Sequence, residues 1–344
     1  MPPTRPVRRS SNAENLPDKP YALISFPRQP PILKKPAGHD RYTKDGYHGK
    51  LCLSLRVKTG LHVSTGITAM GSDVGQKVPL IKTMTTVQGQ SQQLVIQGSS
   101  LKGCVRAIYE AITNSTLAVV SGRYRSKMPS ERLPCRQKDR LCPASQVFGA
   151  LDWQGLIHFS DAKCTGKSSV TGFMPSLYRP RPDQRSAYFE RGKAAGRKFY
   201  HHAREAVDGG NRGTPVQQAG TEYTFQTDVQ FLNLSGAQLG TLLVALGQDE
   251  KHPMALKLGG GKPVGLGTVQ VAVREAQVVQ DVRDRYSQYA EPEAAKLTGD
   301  TLSTFIQDKV SVAYREKLIE VKQLEELGEV LSWPTSREAP RGMY

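Results

Sequence analysis

Ile96-Gln97-Gly98-Ser99-Ser100-Leu101-Lys102-Gly103 is the stretch on which the reading of this chain turns. It follows an apolar run, Leu94-Val95-Ile96, and opens a segment with helical spacing at Leu101, Val105, Ile108, Tyr109 and Ile112. A glycine-serine-lysine turn at a helix start gathers free backbone N–H groups, hydroxyls and a cation. Together these make an anion site suited to phosphate. Ser99, Ser100 and Lys102 would hold the anion, and Arg106, one turn on, would reinforce them. The plainer alternative is an ordinary serine N-cap.

The rest of the chain bears on that choice. Its 344 residues suffice for one large domain or two ordinary ones, and the net charge is +16. So strong a positive balance in a globular composition points to a polyanionic partner. A membrane surface would also attract it, but the sequence shows no long apolar span and no signal peptide. Five cysteines, an odd number without a secretion signal, argue for a reducing compartment and a cytoplasmic protein.

Residues 1–45 are rich in Pro and Arg and read as a flexible basic arm. From Lys50 the pattern alternates through Leu51, Leu53, Leu55 and Val57, which predicts a strand with one buried face. Thr59 to Gln93, rich in Gly, Ser, Thr and Gln, reads as a long loop, either functional or disordered. After the first helix come a basic irregular stretch, 121–143, and a short strand, 156–159. A basic insertion with interleaved aromatics then fills 162–220, with Tyr178, Arg179, Arg181, Arg185, Arg197, Lys198, Phe199 and Tyr200 among its residues. Tyr223 to Leu232 alternates again, Ser235 caps a helix, and Thr268 to Val273 is a last strand. Without the insertions the order is strand, helix, strand, strand, helix, strand. This predicts an α+β fold, a ferredoxin-like (RRM-like) βαββαβ palm over residues 46–290, with 162–220 as a thumb-like insertion. Residues 291–344 complete it as a C-terminal helical segment and tail. RNA-recognition modules share this topology and use an open sheet as a platform.

A second glycine block, Leu258-Gly259-Gly260-Gly261-Lys262-Pro263-Val264-Gly265-Leu266-Gly267, reads either as a cradle for a phosphate backbone or as a flexible connector. It is neither a Walker loop nor a dinucleotide fingerprint, because Gly-Lys-Ser/Thr is missing and Val264 stands at the third glycine position.

Five ordered blocks carry a family resemblance. Residues 96–103 resemble the IPGSSLKG signature of the RAMP superfamily of CRISPR systems. Cys142-Pro143 with Val147-Phe148-Gly149, the strand end Ile157-His158-Phe159-Ser160-Asp161-Ala162, Phe231-Leu232-Asn233-Leu234 with the helix after it, and the 259–267 glycine loop resemble its other elements. The match is nearest to backbone subunits of type III effectors of the Csm and Cmr kind, or their type III-D-like and type VII-like relatives. The resemblance implies a subunit that polymerises with copies of itself along CRISPR guide RNA, alongside other Cas effector subunits, and positions target RNA. It implies guide-phosphate contacts from Ser99, Ser100, Lys102, Arg106, Gly260, Gly261 and Lys262, and base contacts from an insertion that includes Arg197 and Lys198.

The same resemblance raises cleavage and zinc. Cleaving relatives place an aspartate between the first strand and first helix, with Mg2+ as cofactor. Asp73 is the sole acid between Lys58 and Ser100 and lies several residues early. It is the candidate for a metal-dependent endoribonuclease, set against a solvated loop acid. Structural Zn2+ in the family sits near Cys135 and Cys142, where Ser145 replaces a further cysteine. Cys164, His48 or His62 would have to complete that site; otherwise the two are reduced structural thiols. A guide-processing ribonuclease would need a histidine near the glycine loop, where only His252 is close. His201 and His202 are adjacent and, on a strand, would face opposite ways.

Overall fold

In a computed structural model, residues 20–88, 91–176, 188–279 and 296–340 are described. Residues 1–19 of the expected arm, Tyr178, Arg179, Arg181 and Arg185 of the insertion, and the tail from 341 lie outside them. The fold is mixed α+β, built on a large antiparallel sheet.

The predicted alternation forms the centre of that sheet. Strand β2 (Tyr47–Val57) turns Leu51, Leu53, Leu55 and Val57 into the core, while Lys50 and Arg56 face outward. It lies between β16 (Thr224–Leu234) and β18 (Thr268–Val279). Phe225, Val229 and Phe231 of β16, and Val269, Val271 and Val273 of β18, are buried on the same side. Beyond β16 lie β9 (Ile157–Phe159) and β10 (Ala162–Cys164), then β6 (Ser91–Ile96) and β5 (Thr85–Gln88). Two short strands, β17 (Leu256–Lys257) and β19 (Lys296–Leu297), pair with β18.

Helix α1 (Gly98–Ile112) buries Leu101, Val105, Ile108, Tyr109 and Ile112, the positions read from the sequence. It packs against α2 (Pro143–Phe148), α3 (Gly236–Ala245) and the C-terminal helix α5 (Val321–Leu331). Helix α4 (Gly299–Arg315) covers α3. Ser235 caps α3 as expected, its hydroxyl accepting from the Gln238 N–H at 3.2 Å in a reciprocal capping box. No described helix is long and apolar enough to cross a membrane.

Two expectations need correction. The segment 59–93 is not a loop. Its β3 (Thr68–Met70) and β4 (Leu80–Lys82) join β11 (Val170–Met174) and β15 (Thr214–Gln218) in a second sheet, ordered β11-β15-β4-β3. The side chain of the buried Gln217 joins that sheet to the core by accepting the Met84 N–H at 3.0 Å. The described end of the expected arm is also not free. Strand β1 (Tyr21–Ser25) pairs with β14 (Gly196–Tyr200), buries Ile24, and fixes Ser25 to Glu326 of α5 at 2.9 Å. Short hairpins, β7 (Gly149–Ala150) with β8 (Trp153–Gln154) and β12 (Phe189–Glu190) with β13 (Lys193–Ala194), complete the strands.

Candidate nucleic-acid interface

The start of α1 differs from both readings of its sequence. The N-cap is Gln97, not a serine, and no side chain of its own caps the helix. The first amide is taken instead by the protein: Gly98 N–H donates to Asp161 Oδ1 at 2.7 Å. A β-carbon at Gly98 would lie 2.1 Å from the Phe159 carbonyl oxygen, so the residue must be glycine for strand and helix to approach this closely. An incoming phosphate near Ser99 and Ser100 would therefore meet a carboxylate at the positive end of the helix. Lys102 points away from that contest. Its Nζ donates to the Ile157 carbonyl at 2.9 Å, and burial, aided by nearby Arg106, lowers its pKa.

Arg106 does not reinforce the helix start. It and Arg197 converge on one buried carboxylate, Glu110. Arg106 Nε donates to Glu110 Oε1 at 2.7 Å, Arg197 Nη1 donates to Oε2, and the Ala118 N–H also reaches Oε1 at 3.1 Å. Lys198 stands among the rings of Tyr21, Tyr200 and Tyr188, 4.1, 4.6 and 5.4 Å from their centres. Both Arg197 and Lys198 on β14 thus hold the N-terminal strand and α1 in place.

The second glycine block is packed rather than open. Gly260 N–H donates to the His62 carbonyl at 2.8 Å, Gly267 N–H to that of Gly60 at 2.9 Å, and Val207 N–H to that of Val264 at 2.9 Å. Gly261 and residues 263–267 are buried, whereas Gly259, Gly260 and Lys262 stay partly open. Under the loop lies Lys257, whose Nζ donates to the Gly265 carbonyl at 3.1 Å and faces Thr268 Oγ1 at 3.4 Å. Burial, then the neighbouring Lys262 charge, brings its pKa down to about 7. His202 is buried beside it, its Nε2 donating to the Ala255 carbonyl and its Nδ1 paired with Thr268 Oγ1, each at 3.0 Å. Burial, then the Lys257 charge, holds its pKa down to about 3. His202 is thus a neutral core group, and burial likewise lowers the pKa of His201. His252 pairs with the buried Asp249 at 3.0 Å.

Asp73 is exposed in a single turn, Gly71–Val74, where Ser72 Oγ donates to its Oδ1 at 3.3 Å. Cys135 and Cys142 do come together: the Cys142 N–H reaches Cys135 Sγ at 3.3 Å, and Thr116 Oγ1 lies 3.5 and 3.2 Å from the two sulfurs. Hydrogen bonding to Cys135 lowers the pKa of the Cys142 thiol, and the same contact raises that of Cys135. Among the described residues no group of three His, Cys, Asp or Glu side chains is placed to hold a metal, so the thiol pair is half of a tetrahedral zinc set.

One arrangement escaped the sequence. His158, Gln230, Lys50, Gln277 and Lys296 stand directly opposite one another across β9, β16, β2, β18 and β19. A bulge at Val273/Glu275 brings Gln277 opposite Lys50. Apart from His158, neither this row nor the row Gln270, Arg56, Thr224 holds an aromatic residue, so these two rows lack the Phe or Tyr pair on which RNA-recognition modules stack bases. The signal was present only as single polar residues in alternating strands.

No curated protein sequence matches the chain. Among solved structures, the crystal structure of Thermofilum pendens Csc2 is similar at 12% identity, with a TM-score of 0.38, over 86% of this chain and 94% of that one. The model of the RAMP superfamily matches residues 54–270, from the outward face of β2 through α1 and the second glycine loop into β18. A match of that extent, through both glycine blocks and the strands that frame them, makes the chain a member of the RAMP superfamily.

Proposed function

We propose that the protein is a CRISPR RNA-binding backbone subunit of a class 1, type III-like RNA-guided effector, with type III-D-like and type VII-like complexes as its nearest setting. The observation that carries this reading is the superfamily match over residues 54–270. The net charge of +16 supports a polyanion as partner. Strands β2, β9 with β10, β16 and β18, with α1 and α3 between them, act as a ferredoxin-like palm within residues 46–290. The β11–β15 pair in the 162–220 insertion acts as its thumb. Copies of the subunit line the guide, with target RNA and other Cas subunits as further partners, in a prokaryotic cytoplasm. Guide pairing supplies sequence choice, and the protein reads the backbone.

In this reading Lys102 and Lys262 are the main phosphate contacts, with Ser99 and Ser100 secondary because Asp161 occupies the helix start. Lys102→Ala is expected to weaken guide binding for every sequence and to lower the slope of log affinity against log salt by about one unit. Filter binding over a salt series checks this. An unchanged slope removes Lys102 from the interface, and no guide binding by the unaltered protein removes the function.

A further inference from the structure

A cavity of about 520 Å³ opens where the outer face of the main sheet meets α1. This is within the range of sites that take small organic ligands. The five-residue row described above is its floor, and Lys102 lines it from the helix side. Lys50, Lys102 and Lys296 give it three cations, and among the described residues that line it there is no Asp or Glu. Lys50 Nζ lies 4.0 Å from Asp228 Oδ2. Gln230 adds an exposed amide with both a donor and an acceptor.

One wall is aromatic. Tyr42 is half exposed and sets its ring edge-on to that of His48, 4.7 Å between centres. His48 is buried, and its Nδ1 accepts the Asn233 N–H at 3.1 Å, which leaves the proton on Nε2. Burial lowers its pKa and keeps it neutral; the Thr43 backbone opposes this less. Among the described residues, the buried Nε2 atom has no hydrogen-bond partner. Asn233 fixes this wall: at φ 52° it bends β16, and its amide donates to the Gly38 and Arg41 carbonyls, each at 2.8 Å.

Cations, an amide and an aromatic rim without acids suit an anion attached to a flat, hydrogen-bonding ring. We propose that the cavity takes one unpaired RNA nucleotide, its phosphate among Lys50, Lys102 and Lys296, its base against Tyr42 with Gln230 at its edge. This rests on the RNA-binding reading above and adds a base pocket to it.

The test uses the full chain and single-stranded RNA carrying 4-thiouridine, cross-linked by long-wave light and mapped by peptide mass. Cross-links are expected on the peptide containing Tyr42 and His48. Tyr42→Ala is expected to remove them and weaken RNA binding about tenfold, with the salt slope unchanged. Lys50→Ala with Lys296→Ala is expected to lower that slope by about two units. Both sets of side chains are partly or fully exposed, and circular dichroism checks the fold. If the unaltered protein and both variants bind RNA alike, with cross-links elsewhere, the pocket is wrong and the RNA-binding reading stands. If uridine monophosphate binds the pocket while RNA gives no cross-link there, the pocket serves a free nucleotide and the inference fails. If the unaltered protein binds no RNA, the reading itself fails and the inference with it.

Discussion

Lys257→Met is expected to stabilise the protein at pH 7 by about 3 kcal/mol, through relief of a buried ammonium. Lys257 sits under the second glycine loop with two hydrogen-bond acceptors and, among the described residues, no carboxylate partner. Its folded pKa of about 7 lies below the ordinary 10.5. The unfolded chain therefore holds a proton that the folded chain has released at every pH between those values. Stability from this group rises with pH across that window, by about 1.4 kcal/mol per unit. Below the window both states are charged and the full penalty remains. The methionine variant lacks this rise, so its advantage should shrink steadily from pH 7 to pH 9. The half-buried thiol of Cys52 and the buried one of Cys164, whose pKa values burial raises, act in the opposite sense, but equally in both proteins. Urea unfolding of the two proteins at several pH values isolates the difference. Parallel curves would show that Lys257 does not titrate as its burial implies.

Glu110→Ala is expected to cost about 3 kcal/mol, because one carboxylate neutralises two arginines and caps an amide. Glu110 is 5% exposed, and its partners come from α1, β14 and the turn after the helix. Its loss leaves Arg106 and Arg197 facing each other. Arg106→Ala added to Glu110→Ala should therefore cost less than the sum of the two changes, by about 1 kcal/mol or more. Denaturant midpoints at constant m-value measure this. Additive losses would mean the arginines find water rather than repel one another.

The sequence was most legible where one period ran long enough to bury a face. Leu51 to Val57, Leu101 to Ile112 and Leu239 to Leu246 each repeat at the spacing of their element, and each lies in the core. Strand β1 was hidden because five residues, Tyr21–Ser25, follow a Pro- and Arg-rich stretch that dominates the local composition. The strands of 59–93 are three to six residues long, too short to show a period; β3 pairs with β4 and β5 with β6, while β4 and β6 take their other partners, β15 and β10, from beyond residue 160. At the candidate interface, the glycines and Lys102 could be found, but not what would occupy their donors. Asp161 and Glu110 look like ordinary acids in the chain. Arg106 stands four residues before Glu110 on one helix, but only the fold brings Arg197 to the same carboxylate and Asp161 to the helix end. The lysine and glutamine row was invisible for the same reason, since β-strand pairing, not spacing, aligns it.

The second sheet is closed by a parallel pairing, Lys82 of β4 opposite Val216 of β15. During synthesis the first of these strands leaves the ribosome long before the second exists, and until then β3 and β4 have only each other. Closing so wide a gap in the chain is slow, because ordering entropy is lost before any pairing rewards it. A nascent chain halted before Thr214 would carry an unfinished sheet edge on its β3–β4 pair. The same strand that seals the second sheet also sets Gln217 against Met84, so the second sheet and its tie to the core form together, once the chain on both sides of α1 is present.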